Sequence, residues 1–180
     1  NDVLVQHFEA ELINLRTTDL SEEGRSFAGE KRSVRMIPMP GAHTPSDCVY
    51  WIEQDRALFV GDLFGWGLIP TGGLNKESQE LILDYYRRMI DLGPDVVVPG
   101  HGPLADASHL RRFLEYFEWL INGALMGFEH GKTPAQVLAE LAPPRDMHGW
   151  WRFYDWKHDD SRAKVIDAAR RGRLTPVGTT

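Results

Sequence analysis

Apolar positions recur along this chain in two rhythms, one of two residues and one of three to four. The first marks strands with one buried face; the second marks helices that turn a stripe toward a core. "DVLVQHF" opens on an apolar run, a predicted strand from Val3 to Val5. "FEAELINLR" follows with Phe8, Leu12 and Leu15 at helical spacing. "EEGRSFAGEKRSVRMI" reads as a hairpin turning near Gly29, its second arm alternating from Ser33 to Ile37. A second hairpin pairs Cys48 to Ile52 with Ala57 to Val60 across the polar turn "EQDR". Helical spacing then returns at Leu81, Ile82, Tyr85, Met89 and Ile90, and Gly93 ends that run. "DVVVPGHG" is a short strand, and its all-valine centre predicts cover on both faces. The best helix runs from Asp106, a cap, to His130, with Gly131 after it. Leu110, Phe113, Leu114, Phe117, Leu120, Ile121, Ala124, Leu125 and Phe128 form its stripe. Thr133, Pro134 and Gln136 spell the start of another helix with a capping box. A last helix is predicted from about Asp160 to Arg171. Strands come early, with helices between and after them, which is an α/β (α+β) layered pattern.

Composition narrows the function. The 180 residues suit one domain, and a hydrophobic fraction of 42% is enough for a sizeable core. A net charge of −6 argues against a nucleic-acid partner, which calls for clustered Lys and Arg. No apolar run approaches the roughly 20 residues that span a bilayer, so no membrane partner is expected. The single cysteine excludes an internal disulfide and is compatible with a reducing, cytoplasmic location. The first residue is Asn, with no charged and apolar leader behind it, so the chain is expected to be a processed product or a fragment.

Three polar residues share one kind of placement. His43 lies in "PGAHTPSD", a turn stiffened by Pro40 and Pro45 and bent at Gly41, after a strand ending near Met39. Asp62 follows the strand ending at Val60, and His101 follows the strand ending near Val98. Each is ordinary alone: a loop histidine, a turn-capping aspartate, a turn histidine. Together they stand at the carboxyl ends of strands, where open α/β sheets gather ligands. Two imidazoles and a carboxylate suit Zn²⁺, and iron or manganese would accept the same donors.

"PGAHTPSDCVYWIEQDRALFVGDLF" followed by "VVVPGHGP" resembles the second half of the metallo-β-lactamase superfamily. The family pattern is a Gly-His-Thr-Pro-Gly-Ser turn, an apolar strand ending in Gly-Asp, then a Pro-Gly-His-Gly turn. Here Ala42 precedes the histidine, and Ser46-Asp47 stands where Gly-Ser is usual. The resemblance covers roughly residues 1 to 105, the C-terminal part of such a domain, and leaves 106 to 180 as a helical region packed on it. It implies an αβ/βα sandwich and a site for two divalent transition metals, zinc first and iron or manganese as alternatives. It makes His43 a ligand of the first metal, Asp62 the bridging carboxylate that also orients the hydroxide, and His101 a ligand of the second. It implies a hydrolase in which metal-bound hydroxide attacks an ester, thioester or lactone-type carbonyl of a small molecule. The hydroxyacylglutathione-hydrolase-like (glyoxalase II-like) members look most similar.

The family's His-x-His-x-Asp-His motif does not occur here: none of the seven histidines forms a His-x-His pair. "VLVQHFEAELINL" resembles the strand and helix that follow that motif, so the chain is expected to begin inside the domain. Its partner would then be an N-terminal half on a separate chain, or a second copy. The alternative function is a metal-poor, non-catalytic fragment or binding module. Such a half-domain would also expose the sheet face that its other half covers. Two further stretches bear on a pocket. "FGWGLIPTGG" after Asp62 is a glycine-bearing, mobile rim whose Phe64 and Trp66 are candidates to touch substrate. "MHGWWRFYDWKHDD" crowds Trp150, Trp151, Phe153, Tyr154 and Trp156 together. It reads first as a segment pinning itself to the helices or to a second copy. Its functional reading is a pocket wall where Arg152 or Lys157 meets an anionic group. Cys48 reads as a structural thiol, His109 as exposed, and His7, His130 and His158 as unassigned.

Overall fold

The computed structural model describes residues 24–178. The strand expected at Val3 to Val5 and the helix through Phe8, Leu12 and Leu15 lie outside them. A five-stranded sheet runs in the order β1 (Arg25–Ala28), β2 (Ser33–Pro38), β3 (Cys48–Ile52), β4 (Ala57–Gly61) and β5 (Val96–Pro99). The first four strands pair antiparallel and β5 joins β4 in parallel. Four helices follow the hairpins: α1 (Lys76–Asp91), α2 (Ala107–Glu129), α3 (Pro134–Glu140) and α4 (His158–Arg170). The mixed sheet with helices is the α+β class that the alternating patterns predict.

Both hairpins form where the two-residue rhythm places them. The register sets Trp51 opposite Leu58 and Tyr50 opposite Phe59. Trp51 and Leu58 are buried, while Tyr50 and Phe59 are exposed at 40% and 41%. In this hairpin, period-two alternation has thus sorted one face into the core and left the other open among the described residues. β5 departs from expectation: Val97 is fully buried, but Val96 and Val98 are only half-buried. β5 ends the sheet, and its outer-face valines lie beside the same open surface as Phe59.

The helices carry the core. Leu110, Phe113, Phe117, Leu120, Ile121 and Ala124 of α2 are buried with Val49, Leu58, Val60 and Val97 of the sheet. Caps fix where helices start. Asp106 accepts from the amides of Ser108 and His109, and Thr133 accepts from Gln136 N, each with its capping box. The last helix begins at His158, two residues earlier than expected, because a π-helical turn over Phe153–Lys157 leads straight into it. Arg152 enters that turn at φ 55°, in the left-handed region. Such turns and such backbone recur at functional sites.

Candidate functional site

The topology gathers the three candidate residues. β2 and β4 both run opposite to β3, and β5 runs with β4, so the carboxyl ends of β2, β4 and β5 share one edge. His43, Asp62 and His101 follow those three ends. His43 Nε2 stands 3.6 Å from Asp62 Oδ2, and His101 Nε2 stands 3.5 Å from Asp62 Oδ1. The carboxylate therefore lies between two imidazoles and turns a different oxygen to each. All three side chains reach solvent, at 40%, 44% and 74% exposure in chain order.

Each loop is held by identifiable bonds. Asp47 Oδ2 accepts from the amides of His43 and Thr44 at 2.8 and 2.6 Å, and Thr44 Oγ1 donates to Asp47 Oδ1 at 2.8 Å. The Asp that replaces the family's usual Ser thus ties the His43 turn together. Tyr85 Oη donates to Pro40 O at 2.8 Å, and the buried Tyr86 Oη donates to Leu63 O at 2.6 Å. One turn of α1 therefore holds both the His43 loop and the backbone after Asp62. Burial pushes the Tyr86 phenol well above its ordinary value, which keeps it a donor. Gly100 N donates to Gly61 O at 2.8 Å, drawing the His101 turn beside Asp62. A Cβ on Gly100 would stand 2.3 Å from Asp62 Oδ1, so only glycine leaves that oxygen its seat.

The three residues line a cavity of about 540 Å³. Phe64, Leu68, Ile69 and Pro70 from the loop after Asp62 form its apolar wall, and Trp151, Trp156, Lys157 and Lys164 complete it. Phe64 is on this wall, although wholly buried. Trp66 is not: it is 4% exposed, its Nε1 donates to Pro103 O at 3.2 Å, and its ring packs on Phe64 and Trp150. The structure therefore moves Trp66 from the substrate wall to the packing behind it. A left-handed backbone at φ 56° turns its indole inward. Nor is the loop a free rim. Lys157 Nζ donates to Gly65 O at 2.7 Å, Ser161 Oγ donates to Gly67 O at 2.9 Å and accepts from Ile69 N at 3.0 Å, and Lys164 Nζ donates to Ile69 O at 3.3 Å. The end of the π-helical turn and one face of α4 fasten it.

The aromatic stretch pins itself to the helices and also supplies part of the cavity wall. Phe153 is fully buried against Tyr116, and Trp150 packs on Phe64 and Trp66. Trp151 and Trp156 face the cavity instead. His109 is half-buried rather than exposed, because its ring packs edge-on against Trp66 at 5.0 Å. His158 is a satisfied core histidine: Nε2 donates to Leu141 O at 2.8 Å, which leaves Nδ1 to accept from Tyr116 Oη at 2.9 Å. Burial lowers its pKa below the usual histidine value, in keeping with that neutral tautomer. Leu68, Ile69 and Thr71 lie in the stretch read as a rim without being singled out, and Lys164 is the cavity residue that the sequence did not signal. Lys164 carries no motif, and only the fold brings α4 against the loop.

The donor chemistry fits a divalent metal in part. His43 and His101 offer imidazole nitrogens and Asp62 offers two oxygens, the types that zinc takes. Among the described residues, however, no group of three His, Cys, Asp or Glu side chains is arranged to hold a metal ion. The arrangement can place one carboxylate between two Lewis acids only with further donors.

A His/Asp/His edge on a mixed sheet, lining an apolar cavity, is the candidate site of an α+β protein. The chain belongs to the metallo-β-lactamase superfamily, whose family model matches residues 7–101. It is similar to the lactamase-like protein nscB of Aspergillus fumigatus, 31% identical over 130 residues, covering 69% of this chain and 37% of that protein. It is also similar to a beta-lactamase-like protein 2 homolog of Caenorhabditis elegans, 30% identical over 98 residues, covering 54% of this chain and 31% of that one. The chain thus spans about a third of the length of these curated relatives. A metallo-beta-lactamase family protein of Thermus thermophilus shares the fold with a TM-score of 0.55 at 18% identity, covering 84% of this chain and 49% of the other. The sec-alkylsulfatase Pisa1 of Pseudomonas sp. does so with 0.60 at 17% identity, covering 82% and 26%.

Proposed function

We propose that this chain carries the His43–Asp62–His101 part of a metal-dependent hydrolase centre acting on an ester, thioester or lactone-type carbonyl. The observation that carries the reading is Asp62, which offers one oxygen to each of two imidazoles on the wall of an apolar cavity. Superfamily membership supports it, since members commonly bind two metals such as zinc or iron and are usually hydrolytic.

His43 and His101 would hold the metals, with Asp62 as the carboxylate between them. When bound, such ions polarise a carbonyl oxygen and lower the pKa of water toward neutrality. The chain's own residues do the rest. Asp62 accepts a proton-bearing donor and so orients it, and its negative charge offsets the cations locally. Asp47, Tyr85, Tyr86 and Gly100 keep the loops from drifting, which matters because ångström-scale misplacement of reacting groups is costly. Phe64, Leu68, Ile69 and Pro70 keep water from the acyl portion of a substrate. The proposal requires donors from outside the described residues, on a longer chain, a separate N-terminal chain or a second copy.

One observation favours a second reading, a metal-poor binding module: each imidazole finds a single carboxylate oxygen among the described residues. Rates separate the two. Hydrolysis of p-nitrophenyl acetate, an S-acyl cysteamine thioester and a γ-lactone is measured with added zinc or manganese. The hydrolase reading expects a metal-stimulated rate on one class, and Asp62→Asn lowering kcat/KM by about a hundredfold or more. No metal-stimulated rate on any class, or an unchanged rate in the variant, supports the binding module.

A further inference from the structure

Lys157 is the one buried lysine of the described residues and lies on the wall of the cavity. It is 2% exposed, yet no carboxylate of the described residues lies within ion-pair distance of it. Its Nζ donates to Gly65 O at 2.7 Å and sits 3.9 Å from the centre of the Trp151 ring. An ammonium has three donors. The carbonyl takes one, the ring face answers part of the charge, and a donor remains. The neighbouring Lys164 differs, because Asp160 Oδ2 stands 2.8 Å from its Nζ. Burying an ammonium without a counter-charge is costly, so a group in this state at a cavity wall is poised for an anion that arrives with a ligand. Burial, and then the charge of Arg152, lower its pKa to about 8, consistent with a cation that lacks its partner. Apolar and aromatic walls surround it.

We infer that Lys157 is the anion-recognition residue of the cavity, and that the ligand carries a carboxylate or similar anionic group on an apolar, ring-sized body. The inference rests on reading the cavity as the substrate site of the proposed hydrolase. Trp151 and Trp156 flank the body, Lys157 receives the anion by a charge-assisted hydrogen bond, and the His43–Asp62–His101 edge lies on the same wall system.

The test avoids both metal and turnover. Protein treated with EDTA and dialysed at pH 7.5 is titrated with 2-naphthoate and with its neutral analogue 2-naphthamide, and binding is read by calorimetry. Wild type is expected to bind the carboxylate about tenfold or more tightly than the amide, a gap of about 1.4 kcal/mol. Lys157→Gln keeps a donor for Gly65 O and is expected to bring the carboxylate down to the amide's level, with the amide within about twofold of wild type. A purely structural Lys157 would weaken both probes alike, and that result overturns the inference. So does a wild-type ratio near one, no binding of either probe, or a preference that survives Lys157→Gln and vanishes in Lys164→Gln. If Lys157→Gln fails to fold, the wild-type ratio and the Lys164→Gln comparison still decide. Loss of hydrolysis in Asp62→Asn with naphthoate selectivity intact leaves this inference standing. A metal-dependent rate without that selectivity overturns this inference and leaves the hydrolase reading.

Discussion

Asp62 shows what a single residue needs before it can act. Its carboxylate lies between two imidazoles because Gly100, on the next strand end, has no side chain to displace Oδ1. Gly100→Ala therefore tests the seat without touching a donor atom. Supporting residues of metal ligands are commonly worth ten- to a hundredfold in affinity. Gly100→Ala is expected to lower zinc affinity at least about tenfold, read by competition with a chromophoric chelator. Unchanged affinity would mean that the Oδ1 position is not one the metal uses. His43, Asp62 and His101 are legible in the sequence because glycine-flanked polar residues after apolar strands are a local pattern. Trp66 departs from its sequence reading for the opposite reason. Its position in a glycine-rich loop says nothing of its left-handed backbone or of the Pro103 carbonyl that claims its indole N–H. Lys164 is invisible in the sequence, since its place on the wall depends on contacts about a hundred residues apart.

Among elements, helix ends are legible and helix packing is not. Asp106, Thr133 and Asn75 all cap helices with side-chain bonds. Asp106 and Thr133 stand at sequence-readable starts, because a cap and its box lie within four residues. Bonds from Ser108, then from His109 and the backbone amides of both, hold the Asp106 carboxyl down at about 2. The ionised form is thus favoured in the folded state. Its stabilisation is present above about pH 4 and is lost as pH falls through about 2. Asp106→Ala is expected to cost about 1 kcal/mol at pH 7 by urea unfolding, and the gap should narrow toward pH 2. An equal gap at both pH values would remove the charged cap from the explanation. The π-helical turn over Phe153–Lys157 is not legible. Its sequence reads as an aromatic loop, and only packing of Phe153 against Tyr116 explains why it winds into α4.

At the scale of the molecule, two features bear on function together. The sheet's direction pattern brings three strand ends to one edge, and α4 closes a cavity beneath it. Neither follows from local pattern, since both depend on strand order and long-range contact. Among the described residues, Phe27, Tyr50 and Phe59 of the sheet stay exposed. If Asp62 shares metals with His43 and His101 as proposed, the metal content of the protein depends on all three side chains. The protein and its His43→Ala, Asp62→Ala and His101→Ala variants are dialysed against the same zinc-containing buffer. Zinc per chain is then measured by elemental analysis, with intact mass and circular dichroism confirming each chain. Bound zinc in the wild type, reduced in each histidine variant and nearly abolished in Asp62→Ala, is the expected result. Zinc bound equally by all four proteins would contradict a shared metal at this edge, and zinc absent from all four would favour the metal-poor binding module.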